Sequence, residues 1–257
     1  MKYILRQKLA IIVVFVLLLS SCASRKNMIY YQDVDNQAAQ KGLNSYEIKI
    51  QPDDVLSLSI YADDAEAVKS FNLNMSSEVT SGATAGSSYL VDANGYIDLP
   101  TVGKMKISGL SRTEALDMLE KRLSQYIKKP TISLRISNFK ISVQGEVKLP
   151  GVYPIASERV TLIEALSIAG DLTIYGKRNN ILVIREVDGV RSYNRVDITK
   201  SEFMNSAFYY LSQNDVVYVE PNQNKIDGSA IGPSIGLIFS VTGILISLAT
   251  FIITTLK

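Results

Sequence analysis

Residues 141–170 read ISVQGEVKLPGVYPIASERVTLIEALSIAG. The first half is two short apolar-alternating runs around a Lys-Leu-Pro-Gly turn, which reads as strand, turn, strand. Thr161 and Glu164 then have the spacing of a capping box, in which each side chain satisfies a backbone amide that the first helical turn leaves open. They open TLIEALSIAG, and Gly170 suits the end of that helix. Downstream, NILVIREVDGVRSYNRVD is a hairpin with Asp188-Gly189 at its turn, and LSQNDVVYVE is a closing strand. The unit is strands, a capped helix, then strands, and it spans 140–222.

A second unit upstream, 46–139, follows the same logic. YEIKIQPDDVLSLSIY, residues 46–61, places Ile48, Ile50, Leu56, Leu58 and Ile60 around a Pro-Asp-Asp turn, which predicts a strand on each side. Residues 62–88 end in Ser, Gly, Thr and Ala without periodicity, which predicts a long mobile loop. In YLVDANGYIDLP, Asn94-Gly95 between apolar runs is a hairpin signal. Ser111 and Glu114 make another capping box, and Leu116, Leu119, Leu123 and Tyr126 predict a helix over 112–127. It stops before Pro130, and TISLRIS returns to a strand. The expected fold class is α+β: two small domains in series, plus a C-terminal transmembrane helix.

The ends carry different information. A basic stretch, MKYILRQK, precedes the apolar run LAIIVVFVLLL and small residues, the order of a secretion signal over 1–21. The small residues end at Cys22, the chain's single cysteine, where a lipidated mature N-terminus would begin. A single cysteine excludes an intramolecular disulfide and a CxxC metal site. Residues 22–45 are polar apart from the cluster Met28-Ile29-Tyr30-Tyr31 and read as a lipidated tether. The formal charge of +2 falls to about −1 once Lys2, Arg6 and Lys8 are removed with the signal. That balance gives a nucleic-acid partner no basic footprint.

Residues 233–257 contain GLIFSVTGILISLATFIITT, uncharged over 236–255 and long enough to span a bilayer as a helix of roughly 33 Å. Gly236, Ser240, Gly243, Ser247, Thr250 and Thr254 recur at spacings of 4, 3, 4, 3 and 4, a stripe of small or hydroxyl residues on one helix face. Such a stripe is either a seam for close helix packing or the lining of a pore.

Catalytic chemistry has little to stand on. The chain contains no histidine, which removes histidine-based nucleophilic triads and histidine metal sites. No glycine-rich phosphate loop is present. Asp53-Asp54 and Asp63-Asp64-Glu66 could be imagined as glycosidase carboxylates, but a turn and a loop border are where acidic residues are ordinarily just solvated. No enzyme activity, cofactor or metal is expected.

Together these segments resemble the outer-membrane polysaccharide export (Wza-type) lipoprotein family. In the first domain the resemblance rests on Tyr46, the Gln51-Pro52-Asp53-Asp54 turn, and VDANGYIDLPTVG with Gly95, Pro100 and Gly103. Gln51 and Asp53 stand where the family's turn carries glycines. The second domain resembles the β-grasp SLBB module through Gly145, Pro150, Gly151, Tyr153, the Gly170 helix end and Asp215-Val216-Val217. One such repeat fits, where longer members carry two. Ser20-Ser21-Cys22 resembles a lipobox, and Ala23 leaves an outer-membrane address open.

The resemblance implies an oligomeric ring of copies in the outer membrane, anchored through Cys22. Its bulk would lie in the periplasm, and it would form a conduit for capsular or exopolysaccharide. The implied partners are other copies of the chain, outer-membrane lipid, the polysaccharide and an inner-membrane copolymerase. The alternative is a periplasmic scaffold lipoprotein that forms no pore and binds glycan or an envelope partner through its β-grasp domain.

Overall fold

The computed structural model describes residues 28–36, 47–71, 87–187, 189–230 and 233–255. Cys22, the signal sequence, Tyr46 and residues 72–86 of the expected loop lie outside the described residues.

The first domain is built on β1 (Val55–Tyr61). It sits between β2 (Ser87–Leu90) and β5 (Thr131–Ile136), antiparallel to both. Its alternation turns Leu56, Leu58 and Ile60 inward, where each is essentially fully buried. Beside this sheet, β3 (Tyr96–Leu99) pairs with β4 (Gly103–Lys106). The helix α2 (Arg112–Leu123) buries Ala115, Leu119 and Leu123 in the same core, and its Ser111–Glu114 capping box forms as the spacing predicts. It follows a shorter helix, α1 (Ala65–Lys69), whose N-cap Asp64 accepts from the amides of Glu66 and Ala67.

Several local expectations shift. The strand expected over 46–50 is reduced to a bridge between Lys49 and Ser111. The backbone of Ile50 is spent on residues 109 and 110 instead: its N–H donates to Leu110 O at 2.9 Å, and its C=O accepts from Gly109 N at 2.8 Å. The Asn94-Gly95 turn forms, yet it joins strands of two different sheets. Asp92 Oδ1 takes the amides of Asn94 and Tyr96, each at 2.9 Å, which turns the chain toward β4 rather than back along β2. Helix α2 ends at Leu123 rather than near 127, and Ser124 Oγ donates to Glu120 O at 2.6 Å. The start of the expected loop is ordered as α1.

The second domain is a five-stranded sheet in the order β10-β9-β12-β6-β7. These are β6 (Lys140–Gly145), β7 (Gly151–Pro154), β9 (Gly176–Val187), β10 (Val190–Val196) and β12 (Val216–Pro221). The capped helix α3 (Leu162–Ile168) lays Leu162, Ala165 and Leu166 into a core with Val143, Ile181, Val183 and Val217. A small ladder joins β8 (Val160–Thr161) to β11 (Tyr210–Leu211). The last strand does not close the sheet at an edge. β12 lies inside it, parallel to β6 and antiparallel to β9.

Residues 28–36, read as part of a tether, are packed on this second domain. Gln32 N donates to Thr199 O at 2.7 Å, and the Tyr31 ring stacks on Phe203 with centroids 5.8 Å apart. Asp33 accepts from Ser201 N at 2.7 Å, at the start of the short 3-10 turn Ser201–Asn205. The Tyr30 hydroxyl donates to Asp171 while Arg178 lies over its ring. Desolvation and the Asp171 bond push the Tyr30 phenol well above the ordinary tyrosine range.

After β12 come α4 (Gln223–Ala230) and α5 (Pro233–Thr255). The expectation of a transmembrane helix over 233–257 is corrected here: among the described residues, no helix is long and apolar enough to cross a membrane. Pro, Gly, Ser and Thr fill ten of the 23 positions of α5. The architecture is therefore mixed α/β with two domains in series.

Gly145 marks the tightest point of the second sheet. It has φ +88°, and a Cβ there would stand 2.1 Å from Val219 O on the neighbouring strand. Gly109 has a similar φ of +83° but open space around it. Gly109→Ala is expected to cost about 1 kcal/mol through backbone strain alone. Gly145→Ala must also part β6 from β12, so its thermal midpoint should fall by at least twice as much in a paired melt.

Candidate functional site

The two domains meet around residues 137–140. Asn138 Oδ1 accepts from Val55 N at 2.9 Å, and its Nδ2 donates to Asp53 O at 2.9 Å. Its own carbonyl accepts from Gln213 Nε2 at 3.0 Å, and Gln213 Oε1 accepts from Lys140 N at 2.8 Å. Two side-chain amides thus join the first domain's opening turn to the loop before β12.

The turn is shaped by Asp53, which takes the left-handed conformation at φ 69°, a region that short polar side chains tolerate. Next to it, Asp54 is 1% exposed. One carboxylate oxygen accepts from Gln51 N at 2.8 Å, and Oδ1 has no hydrogen-bond partner. Burial pushes this carboxyl up to about 6, against the lowering effect of the Gln51 amide and Gln213. Asp215 is buried as well, but Arg185 grips it with Nη2 at 2.7 Å, and the Ser212 amide adds a bond at 2.7 Å. Burial raises the Asp215 carboxyl and Arg185 opposes the rise. Arg185 also donates to the carbonyls of Ala207 and Tyr210. Asp54 and Asp215 are therefore framework groups.

A cleft of about 550 Å³ opens between the domains. Its floor includes Ile48, Leu134 and Phe139, and its rim carries Arg112, Arg135 and Arg159 with Glu47 and Glu158. Arg112 Nε donates to Leu134 O at 2.9 Å and lies 3.4 Å from Glu158. Glu47 accepts from Thr113 Oγ1 at 3.1 Å. Arg135 spends one N–H on Ala156 O at 2.9 Å, and Arg159 lies over the Tyr210 ring at 5.3 Å. A second cleft of about 850 Å³ includes Gln51, Asp53, Lys106, Glu186, Arg191 and Tyr193. There the charges are already matched: Arg191 holds Glu186 at 2.8 Å, and Lys106 donates to Asn94 O at 2.6 Å.

The motif residues of the sequence are scattered through the scaffold rather than gathered in one site. Pro52 stands exposed beside Asp53 in the opening turn. Gly95 takes φ +83°, and a Cβ there would strike the Ser108 side chain, so close approach explains that position. Pro100 and Gly103 turn β3 into β4, Pro150 and Gly151 lead into β7, and Gly170 ends α3 at φ +75°. Of the C-terminal stripe, Ser240, Gly243 and Ser247 are exposed, and Ser247 Oγ donates back to Gly243 O at 2.9 Å. The surroundings of Gly236, Thr250 and Thr254 lie outside what the structure describes. Asp64, once a conceivable acid, caps α1. The arginines of the cleft escaped sequence reasoning because 112, 135 and 159 share no local pattern; only the docking of α2 and β5 against the second domain assembles them.

The raised Asp54 carboxyl has a measurable consequence. Its protonated form is favoured in the folded chain, so this residue's stabilising contribution is fully present below the ordinary carboxylate range and is lost as pH rises from there through about 6. Asp54→Asn should flatten that pH dependence, so that between pH 4.5 and 7.5 the stability difference shifts in the variant's favour by roughly 2 kcal/mol. Urea titrations at pH 4.5 and 7.5 measure both effects; parallel pH profiles for the two chains would refute the assignment.

Comparison with known proteins agrees with this architecture. Residues 43–137 match the family model of the polysaccharide biosynthesis/export protein, and residues 139–219 match the SLBB domain. The chain is 27% identical, over 198 residues, to the EPS I polysaccharide export outer membrane protein EpsA of Ralstonia nicotianae, covering 72% of this chain and 51% of that protein. It is 29% identical over 153 residues to EpsA of Ralstonia solanacearum, covering 57% of this chain and 40% of that protein. A shorter stretch of 88 residues is 28% identical to the exopolysaccharide production protein ExoF of Rhizobium meliloti, covering 33% of this chain and 21% of that protein. The chain spans about half the length, or less, of the curated relatives it matches. The chain thus carries the polysaccharide export domain followed by one SLBB domain, in that order, over most of its folded body.

Proposed function

We propose that this protein acts in export of exopolysaccharide across the outer membrane, as a subunit of an oligomeric conduit coupled to an inner-membrane copolymerase. The observation that carries the reading is the pairing of a polysaccharide export domain with an SLBB domain in one chain. The names of its relatives, two of them polysaccharide export outer membrane proteins, support the same direction. In this reading no bond of the polymer is made or broken. The rigid junction at Asn138 and Gln213 suits a subunit whose two domains stack as a unit into rings.

Cys22 attaches the chain to the outer membrane through its lipid, and the bulk of the protein lies in the periplasm. The stripe on α5, exposed at Ser240, Gly243 and Ser247, serves as a seam along which helices of neighbouring copies pack. Small residues there let two backbones approach, and the bulky residues on the other sides, Phe239 and Ile244 among them, remain uncovered in a single chain.

Deleting the gene and measuring secreted polysaccharide tests the export reading. Secretion should drop to background and return with the parental chain; undiminished secretion would sink the proposal. Cys22→Ala should move the protein from the membrane pellet to the soluble periplasmic fraction. Mass photometry of the detergent-solubilised chain should show a ring-sized oligomer. A strictly monomeric mass would favour the periplasmic scaffold over the conduit.

A further inference from the structure

From the geometry of the cleft between the domains, we infer that it is a binding site for a carboxylate-bearing sugar unit, read by the guanidinium groups of Arg135 and Arg159. The inference rests on the export reading, which makes glycan the ligand class, and adds what that reading lacks: a place and a charge preference.

The argument is one of unspent donors. An arginine carries five N–H donors in a fixed planar fork that matches the two oxygens of a carboxylate. Arg135 uses one of them, on Ala156 O. Arg159 is held by its face against the Tyr210 ring, which positions the group while leaving its N–H edge unengaged by any other described side chain. Of the two cleft carboxylates, Glu158 is paired with Arg112, and Glu47 accepts one bond from the Thr113 hydroxyl. The rim therefore offers three guanidiniums against two carboxylates, and its net charge is positive. Charge-assisted, two-pronged hydrogen bonds to a carboxylate are the strongest contacts such groups make in a partly exposed cleft.

The shape agrees with the charge. At about 550 Å³ the cleft falls within the roughly 300–1,000 Å³ of small-ligand sites. Its apolar floor of Ile48, Leu134 and Phe139 suits the C–H face of a pyranose ring, and the polar rim suits its substituents. Because each domain supplies one wall, the junction amides preset the spacing of Arg135 and Arg159 before any ligand arrives. The second cleft lacks this imbalance, since its arginine and lysine are committed to neighbours.

The test is isothermal titration of the full chain in detergent micelles with trigalacturonate and with its methyl ester, a neutral molecule of nearly the same shape. The acid is expected to bind at least tenfold more tightly than the ester, with the difference shrinking at high salt. Arg135→Gln combined with Arg159→Gln should abolish the preference for the acid and leave the thermal midpoint within a few degrees. Equal affinity for acid and ester, or a double variant that binds the acid as tightly as the parent, overturns the inference. A double variant whose oligomer dissociates while the acid still binds also overturns it, since the arginines would then join copies of the chain. If the double variant does not fold, the acid-to-ester ratio of the parental chain decides. No preference for the acid in a protein whose gene is still required for secretion would remove this site and leave the export reading standing; undiminished secretion would remove the export reading itself.

Discussion

Everything at the centre of this molecule depends on two side-chain amides, Asn138 and Gln213, joining backbone that belongs to different domains. Asn138 receives from Val55 and gives to Asp53, and through its carbonyl it takes a bond from Gln213, which in turn receives Lys140. An amide both donates and accepts, so each one bonds backbone groups on two sides. A flexible linker would let the domains tumble. This clasp instead sets the cleft between them, the position of its arginines and the burial of Asp54.

Around the clasp, charge is handled in two ways. Asp215 is buried with a guanidinium fitted to it and with the Ser212 amide as a further donor, an arrangement in which the attraction offsets the loss of hydration. Asp54 is buried with a single backbone donor and one oxygen unserved, so it resists ionisation. The contrast follows from the elements that surround them. Asp215 faces a long strand, β9, that can carry Arg185 across from it, whereas Asp54 lies under a tight turn whose neighbours are backbone and the Gln213 amide.

The chain segment at 28–36 shows where composition misleads. It is polar enough to read as a tether, and its tyrosine pair was visible as a small cluster. Its docking is nonetheless a tertiary event: Tyr31 needs Phe203, Tyr30 needs Asp171 and Asp33 needs Ser201, all more than a hundred residues away. At the other terminus, hydrophobic content suggested a membrane span, while among the described residues no helix is long and apolar enough to be one.

What the sequence determined by itself is local. Ser111 with Glu114 and Thr161 with Glu164 specified where two helices begin, since a capping box needs only residues three apart. Alternation specified the inward faces of β1 and β9, and the glycines specified turns that require a positive φ. The ordered string of motifs also pointed to the export domain and the SLBB domain that the family models match. What only the tertiary structure decided is everything that joins distant segments: β12 in the middle of its sheet, Asn94-Gly95 linking two sheets, the strap on the second domain and the three arginines around one cleft. The physical reason is the range of the forces involved. Hydrogen bonds within a turn and side-chain periodicity act over a few residues and leave a readable pattern, whereas strand pairing and charge convergence depend on which surfaces meet once the cores have formed.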